Sequence, residues 1–269
     1  MKLNIRFPNL KKKINYKQYF KKIGLNDLVK ESLIKRKILL NELPENLSFT
    51  LPPDLKKLYF LNEFIIRNKR INILEFGSGS STVVFSYSLN QNKLKYSQAV
   101  KSKIRRVSPF KMISVETYKK FADITKKKII KILGKQINNF SFFITNVVMT
   151  TFRDRICTEY SKLPLFSPDF IYLDGPDQRN VSKKINNIST NYNDFFPMSC
   201  DILKIEYFLT PGTILIVDGR GANAEFLKRN FMRNWIYKYV KDVDQHVFKL
   251  NEKPLGIFNL NQINFYGGN

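Results

Sequence analysis

The apolar residues of this chain fall into two patterns that meet near residue 71. Ahead of that point they recur at helical spacing, with Leu25, Leu28, Val29, Leu33 and Ile34 on one stripe. Pro44, Pro52 and Pro53 break the pattern, and Asp54 is placed to cap a helix beginning DLKKLYFLNEFI. Beyond residue 71 come short continuous apolar runs: INILEF (71–76), MISVE (112–116), DFIYLD (169–174) and TILIVD (213–218), with SFFITNVV (141–148) as a further candidate. Such runs suit strands buried on both faces of a parallel sheet. The helix-length stretches between them imply right-handed strand–helix–strand units. After residue 231 the pattern alternates, and NWIYKYV, HVFKL and GIFNL read as antiparallel strands closing one sheet edge. The expected architecture is a three-layer α/β sandwich around a mostly parallel sheet with an antiparallel C-terminal edge. A basic, mainly helical segment over 1–54 leads into the main domain over 55–269.

Composition narrows the classes. With 269 residues, 43% of them hydrophobic and 14% aromatic, the chain can bury a core and does not read as disordered. No apolar run approaches the roughly 18–20 residues of a membrane-spanning helix, and MKLNIRFPNLKKK lacks the apolar stretch of a secretory signal. The expectation is a cytoplasmic protein with no membrane span. Cys157 and Cys200 stand in no CxxC pattern and, with the lone His246, offer too few ligands for zinc. They read as unpaired thiols.

The net charge of +24 has two readings. Lys, Asn, Ile and Phe abound throughout, which fits a general compositional bias. Alternatively, the excess of Lys and Arg forms a basic surface for nucleic acid, an acidic glycan or a membrane. The stretch QNKLKYSQAVKSKIRRVSPFK (91–111) is a concentrated example. It lengthens the interval between the first two strands to about twice the roughly 20 residues of a compact mononucleotide unit, and reads as an inserted loop or helix.

Four apolar runs carry a carboxylate at or near their end: Glu75, Glu116, Asp174 and Asp218. In open parallel sheets ligands bind outside the carboxyl ends of the strands, so these four acids mark one candidate site. The first strand also runs into Gly77-Ser78-Gly79-Ser80-Ser81-Thr82 and then a helix. The glycines permit a tight turn and close approach of a ligand to the backbone, and Ser80, Ser81 and Thr82 can cap the helix. A dinucleotide fold would place a third glycine where Thr82 stands and seat a pyrophosphate on the helix. Glu75, two residues ahead of Gly77, would repel that group and attract a cationic one. S-adenosylmethionine, with its ammonium and sulfonium, matches that charge, and Glu116 can accept both ribose hydroxyls.

ILEFGSGSST resembles motif I of class I S-adenosylmethionine-dependent methyltransferases. ISVET resembles the motif around the family's ribose-binding acid, FIYLDGPD its strand-four motif, and LTPGTILIVDGR its strand-five motif. The resemblance spans roughly residues 55–260 and is nearest to small-molecule and glycan O-methyltransferases. It implies a Rossmann-like seven-stranded sheet whose last strand is antiparallel. It also implies that Glu75, Gly77 and Gly79 contact the methionine moiety within a binding loop that includes Ser78, Ser80, Ser81 and Thr82. Glu116 would hold the ribose and Asp174 would face the reacting methyl. Asn146 is the candidate for the adenine.

Methyl transfer to a hydroxyl needs an aligned acceptor and a base. Asp174 and Asp177 are the candidates, with His246 a weaker third. Asp174 and Asp218 could together hold Mg²⁺. However, Gly219 and Arg220 follow Asp218 where metal-dependent members carry Asn or Asp, so no metal is expected. Arg179 and Arg220 can instead neutralise the acidic edge or bind an anionic group of the acceptor. The expected activity is O-methylation of a small molecule or saccharide. A nucleic-acid methyltransferase is the alternative raised by the charge, although the chain has no NPPY-type or Pro-Cys motif. A non-catalytic binding module and a nicotinamide-dependent oxidoreductase are the remaining alternatives, the latter disfavoured by Glu75 and Thr82.

Overall fold

The computed structural model describes residues 5–10, 13–34 and 52–267. Seven strands form its main sheet: β1 (Asn72–Phe76), β2 (Lys111–Glu116), β3 (Phe140–Ile144), β6 (Phe170–Leu173), β7 (Ile214–Asp218), β8 (Trp235–Val240) and β9 (Gln245–Leu250). Their spatial order is β3-β2-β1-β6-β7-β9-β8. The pairings from β3 across to β7 are parallel, whereas β9 runs antiparallel to both β7 and β8. The C-terminal edge is thus a hairpin with β9 tucked between β7 and β8. This is a Rossmann-like α/β fold. The remaining strands, β4 (Val147–Phe152) and β5 (Arg155–Tyr160), form a separate antiparallel hairpin.

The pleat sorts alternate residues of the central strands into two cores. Ile73, Phe170, Tyr172, Ile214 and Ile216 face one way, with Phe60, Phe64, Val84 and Phe85. These last residues come from α3 (Leu55–Arg67) and α4 (Ser80–Lys103). Phe20 of α1 (Tyr16–Lys22) and Leu28 and Val29 of α2 (Asn26–Ser32) join the same cluster, and α5 (Lys119–Leu133) lies at its margin through Ile132 and Leu133. Leu74, Phe76, Ile171, Leu173, Leu215 and Val217 face the other way. They meet α6 (Asp201–Ile205), α7 (Gly221–Asn230) and the β4–β5 hairpin. Every residue of β1 and β6 is buried, which is why their sequences run apolar without alternation.

Several expectations meet the structure directly. Asp54 caps α3, its Oδ1 accepting from Lys56 N at 2.8 Å and Lys57 N at 3.1 Å. Much of the basic stretch 91–111 is helical, because α4 continues unbroken to Lys103. Others are corrected. Leu33 and Ile34 do not extend the buried stripe: α2 ends at Ser32, and both are exposed. SFFITNVV is not one strand, because β3 stops at Ile144 and β4 leaves the sheet at Val147 to pair with β5. GIFNL is no strand either; it opens α8 (Ile257–Gly267). The residues that α8 buries at helical spacing are Asn259, Gln262 and Tyr266, so polar side chains carry the period and an apolar pattern cannot reveal it. The amide of Asn259 donates to Pro211 O at 3.0 Å, which gives a buried Asn its partner. Pro44 and the lysines Lys11 and Lys12 lie outside the described residues. Among the described residues no helix is long and apolar enough to cross a membrane.

Phe85 ties α4 to the sheet, its ring edge-on to Phe170 at 5.7 Å and to Tyr172 at 5.2 Å, and it is fully buried. Phe85→Ala is expected to lower unfolding free energy by about 3–5 kcal/mol. Urea denaturation checks this, and a loss under about 1 kcal/mol would show that the site collapses around the deletion.

Candidate active site

The parallel strands end at a common edge, and the two central ones turn there against each other. Beyond β1 the chain turns at Gly77, whose φ is 98°, a conformation that favours glycine. Beyond β6 it passes through Asp174 and Gly175. Gly175 N donates to Phe76 O at 2.6 Å, and Asp174 N to the same oxygen at 3.1 Å. A Cβ on Gly175 would stand 2.8 Å from Gly77 N and 2.6 Å from Tyr160 Oη. The Asp-Gly pair is therefore the place where one loop crosses another with no room for a side chain. Gly79 differs: its φ of 168° is ordinary extended backbone, and no atom lies within 4 Å of where a Cβ would be. That space leaves the backbone open to a ligand.

The seryl and threonyl hydroxyls of the loop are turned to the strand-end acids and to the backbone. Gly79 N donates to Thr82 Oγ1 at 2.8 Å, so Thr82 closes the first turn of α4. Ser81 Oγ donates to Glu75 Oε1 at 2.6 Å, and Ser78 Oγ donates to Glu116 Oε2 at 2.7 Å. Oε1 of Glu116 accepts from the backbone N–H groups of Thr117 at 2.7 Å and Tyr118 at 3.0 Å. This fixes the carboxylate at the end of β2.

Glu75 is only 1% exposed and its Oε2 has no hydrogen-bond partner. Burial pushes its pKa to about 8; the Ser81 and Thr82 hydroxyls oppose the rise, and the charge of Asp174 adds to it. Asp174 opens onto the cleft, yet the protein packed around its carboxyl raises its pKa to about 6, and Asp218 adds to the rise against Arg220 and Lys57. Asp177 is raised by burial, against hydrogen bonds from the backbone N–H groups of Arg179 and Asn180.

These groups border a cleft of about 550 Å³ between the sheet edge and α3. Of the residues singled out in the sequence, Gly77, Ser78, Gly79, Ser80, Ser81, Glu116, Asp174 and Asp177 line it. Glu75 and Thr82 do not; they lie buried beneath the turn. Asn146 is not brought into the cleft. It sits exposed in the link between β3 and β4, where its carbonyl accepts from Ser161 N at 2.8 Å, because the chain leaves the sheet just past Ile144. His246 is also outside the lining, stacked on Tyr237 and Tyr239, with its Nδ1 2.9 Å from Tyr237 Oη. Burial lowers its pKa.

Sequence reasoning missed Lys57. Its ammonium reaches across from α3 to Asp218 Oδ1 at 2.9 Å, and the Gln245 side-chain amide donates to the same oxygen. Burial alone would lower the Lys57 pKa, but the charge and hydrogen bond of Asp218 outweigh it and raise it. A lysine thus already neutralises one acid of the Asp174–Asp218 pair. Among the described residues no group of three or more His, Cys, Asp or Glu is arranged to hold a metal ion. Tyr118, Phe121, Tyr160 and Tyr172 were missed as well, and give the cleft aromatic walls. Tyr118 follows Glu116 by two residues, which was the available signal; Tyr160 arrives from the β4–β5 hairpin, which left none. Arg220, expected to offset the acids, does face Asp174; it donates to Pro176 O at 2.8 Å, while its Nη1 is buried without a partner. Asp54, Glu116, Asp174, Asp177 and Asp218 against Lys57 and Arg220 leave the lining net acidic, in a chain of net charge +24.

No family profile and no curated protein matches the chain in sequence. Solved structures match it in fold. A cofactor-bound protein from MTB is 12% identical, with 86% of this chain and 90% of that one covered and a TM-score of 0.45. The O-methyltransferase from Bacillus cereus in complex with SAH is 12% identical over 88% of this chain and 96% of its own, with a TM-score of 0.41. The O-methyltransferase TomG from Streptomyces achromogenes in complex with SAM is 11% identical over 87% and 98%, with a TM-score of 0.40. Likeness at this level bears on neither the substrate nor the site.

The raised pKa of Glu75 gives a signed prediction. An ordinary glutamate titrates near 4.5 and the folded one near 8. Between those values the folded chain holds a proton that the unfolded chain has lost, so stability falls as pH rises across the window. Glu75→Gln removes this slope. Denaturation at pH 6 and pH 9 is expected to show wild type losing more stability than the variant; parallel losses would mean that Glu75 titrates normally.

Proposed function

We propose that the chain is an S-adenosylmethionine-dependent methyltransferase acting on a hydroxyl of a small molecule or saccharide. The observation that carries the reading is the acidic lining of a cleft built on a glycine turn, with an unpartnered carboxylate oxygen of Glu75 directly beneath that turn. A helix N-terminus alone would favour a phosphate. The five lining carboxylates reverse that preference, and a nicotinamide dinucleotide would bring its pyrophosphate against them. The ammonium and sulfonium of S-adenosylmethionine suit the same field. Glu75 acts at one remove: a cation above the turn favours its ionised form, so binding should release a proton near neutral pH.

Glu116 suits the ribose. Its carboxylate is held by backbone N–H groups, and the bond from Ser78 is one that an incoming hydroxyl can replace. Tyr118 and Phe121 offer flat surfaces beside it for the adenine, in place of Asn146. When bound, the cofactor supplies an already activated methyl group. The chain must then align the acceptor and take its proton. Asp174 fits that second task, because a carboxylate of pKa about 6 is ionised at neutral pH yet more basic than an ordinary aspartate. Asp177 is the second candidate, at the same mouth. The acidic lining also argues against a polynucleotide acceptor, whose phosphates would meet Asp174 and Asp218.

Calorimetry with S-adenosylhomocysteine, S-adenosylmethionine and NAD tests the reading. The adenosyl sulfur ligands are expected to bind and NAD not to; tight NAD binding would overturn it. Glu116→Ala is expected to weaken S-adenosylhomocysteine by about 10- to 100-fold through lost charge-assisted bonds. An unaltered affinity would remove Glu116 from the ribose. Once an acceptor is found, Asp174→Asn should lower kcat far more than it weakens cofactor binding, and unchanged kcat would remove Asp174 as base.

A further inference from the structure

A second cavity, of about 460 Å³, opens at the opposite end of the sheet, where the parallel strands begin. Arg70, just ahead of β1, and Lys249, paired with Ile214 at the start of β7, both line it together with Gly212, Asn264 and Tyr266, and no acidic residue does. Arg70 is 3% exposed. Its Nη1 donates to Gly212 O at 2.9 Å and Asp169 O at 3.3 Å, and its guanidinium lies 4.2 Å from the centre of the Tyr266 ring. Its Nε is buried with no hydrogen-bond partner. The Asp169 carboxylate, outside the cavity lining, accepts from the backbone N–H groups of Ile71 and Asn72 and also attracts the Arg70 charge. Lys249 is half-buried and makes no ion pair among the described residues. The end of α8 does not supply the missing acceptor, because Gly267 O is taken by Arg6 at 2.9 Å.

Asp169 offsets part of the Arg70 charge, but the unpartnered Nε and the half-buried Lys249 ammonium remain at a wall that holds no acid among the described residues, which is costly unless an anion joins them. Burial and the charge of Arg70 both lower the Lys249 pKa, in keeping with that cost. We propose that this cavity binds a small oxyanion, the phosphate or carboxylate group of a metabolite, bridging Arg70 and Lys249. Arg70 supplies a planar, stacked donor of fixed orientation and Lys249 a movable one. The exposed Asn264 side chain at the rim leaves room for an uncharged remainder of the ligand. The site lies across the sheet from the acidic cleft and stands whether or not the cleft binds S-adenosylmethionine.

Thermal melting in inorganic phosphate, acetate and chloride at matched ionic strength tests it, on wild type, Lys249→Gln and the exposed-site control Lys135→Gln. Phosphate or acetate is expected to raise the wild-type Tm beyond chloride, and the better of the two identifies the group. Lys135→Gln should behave as wild type. Lys249→Gln should lose the extra shift, with phosphate affinity weaker by about tenfold or more. Without oxyanion the Lys249→Gln protein should melt at or above wild type, because a buried repulsion has gone. The proposal fails if chloride matches both oxyanions, if Lys249→Gln keeps the full shift, or if that variant melts below wild type without oxyanion, the mark of a merely structural lysine.

Discussion

The site depends on one close backbone crossing. Phe76 O receives two N–H groups from the Asp174–Gly175 segment, and Gly175 lies so near Gly77 that a Cβ there has no room, while the φ of 98° at Gly77 itself favours glycine. This contact sets the glycine turn against the end of β6, and with it the distance from Ser78 and Glu116 to Asp174. A parallel sheet alone would bring these strand ends to one edge without fixing their loops. The paired peptide bonds and missing side chains make that edge a defined cleft.

Much of the fold was legible because its central strands are buried on both faces. Their apolar runs, 71–76, 112–116, 169–174 and 213–218, each became a strand within a residue or so of the expected bounds. What failed did so where burial and polarity part company. Helix α8 buries asparagine, glutamine and tyrosine, so its period is invisible to a hydrophobic reading. The run 141–148 looked continuous because periodicity records apolar content and is blind to a chain changing sheets between Ile144 and Val147. The reach of Lys57 to Asp218 spans 161 residues of sequence and leaves no local mark.

The carboxylates at the strand ends were also legible, though not their ranks. The sequence and its resemblance give Glu75, Glu116, Asp174 and Asp218 different expected partners but say nothing of what encloses each one. The structure separates them by what surrounds each one. Glu75 is sealed beneath the turn, Glu116 is held by N–H groups, Asp218 is neutralised by Lys57 and hydrogen-bonded by Gln245, and Asp174 is left facing the cavity. That ranking is what singles out Asp174 for the base proposed above.

The direction of β9 has a consequence for how the chain assembles as it is made. Because β9 runs against its neighbours, its first residue, Gln245, lands beside Asp218 at the cleft end of the sheet. A nascent polypeptide that has emerged only through β7 therefore carries that aspartate on an unprotected sheet margin. The amide that shares Asp218 with Lys57 arrives only after a further 27 residues have been made, so the hydrogen bonding at this end of the cleft is completed late in synthesis.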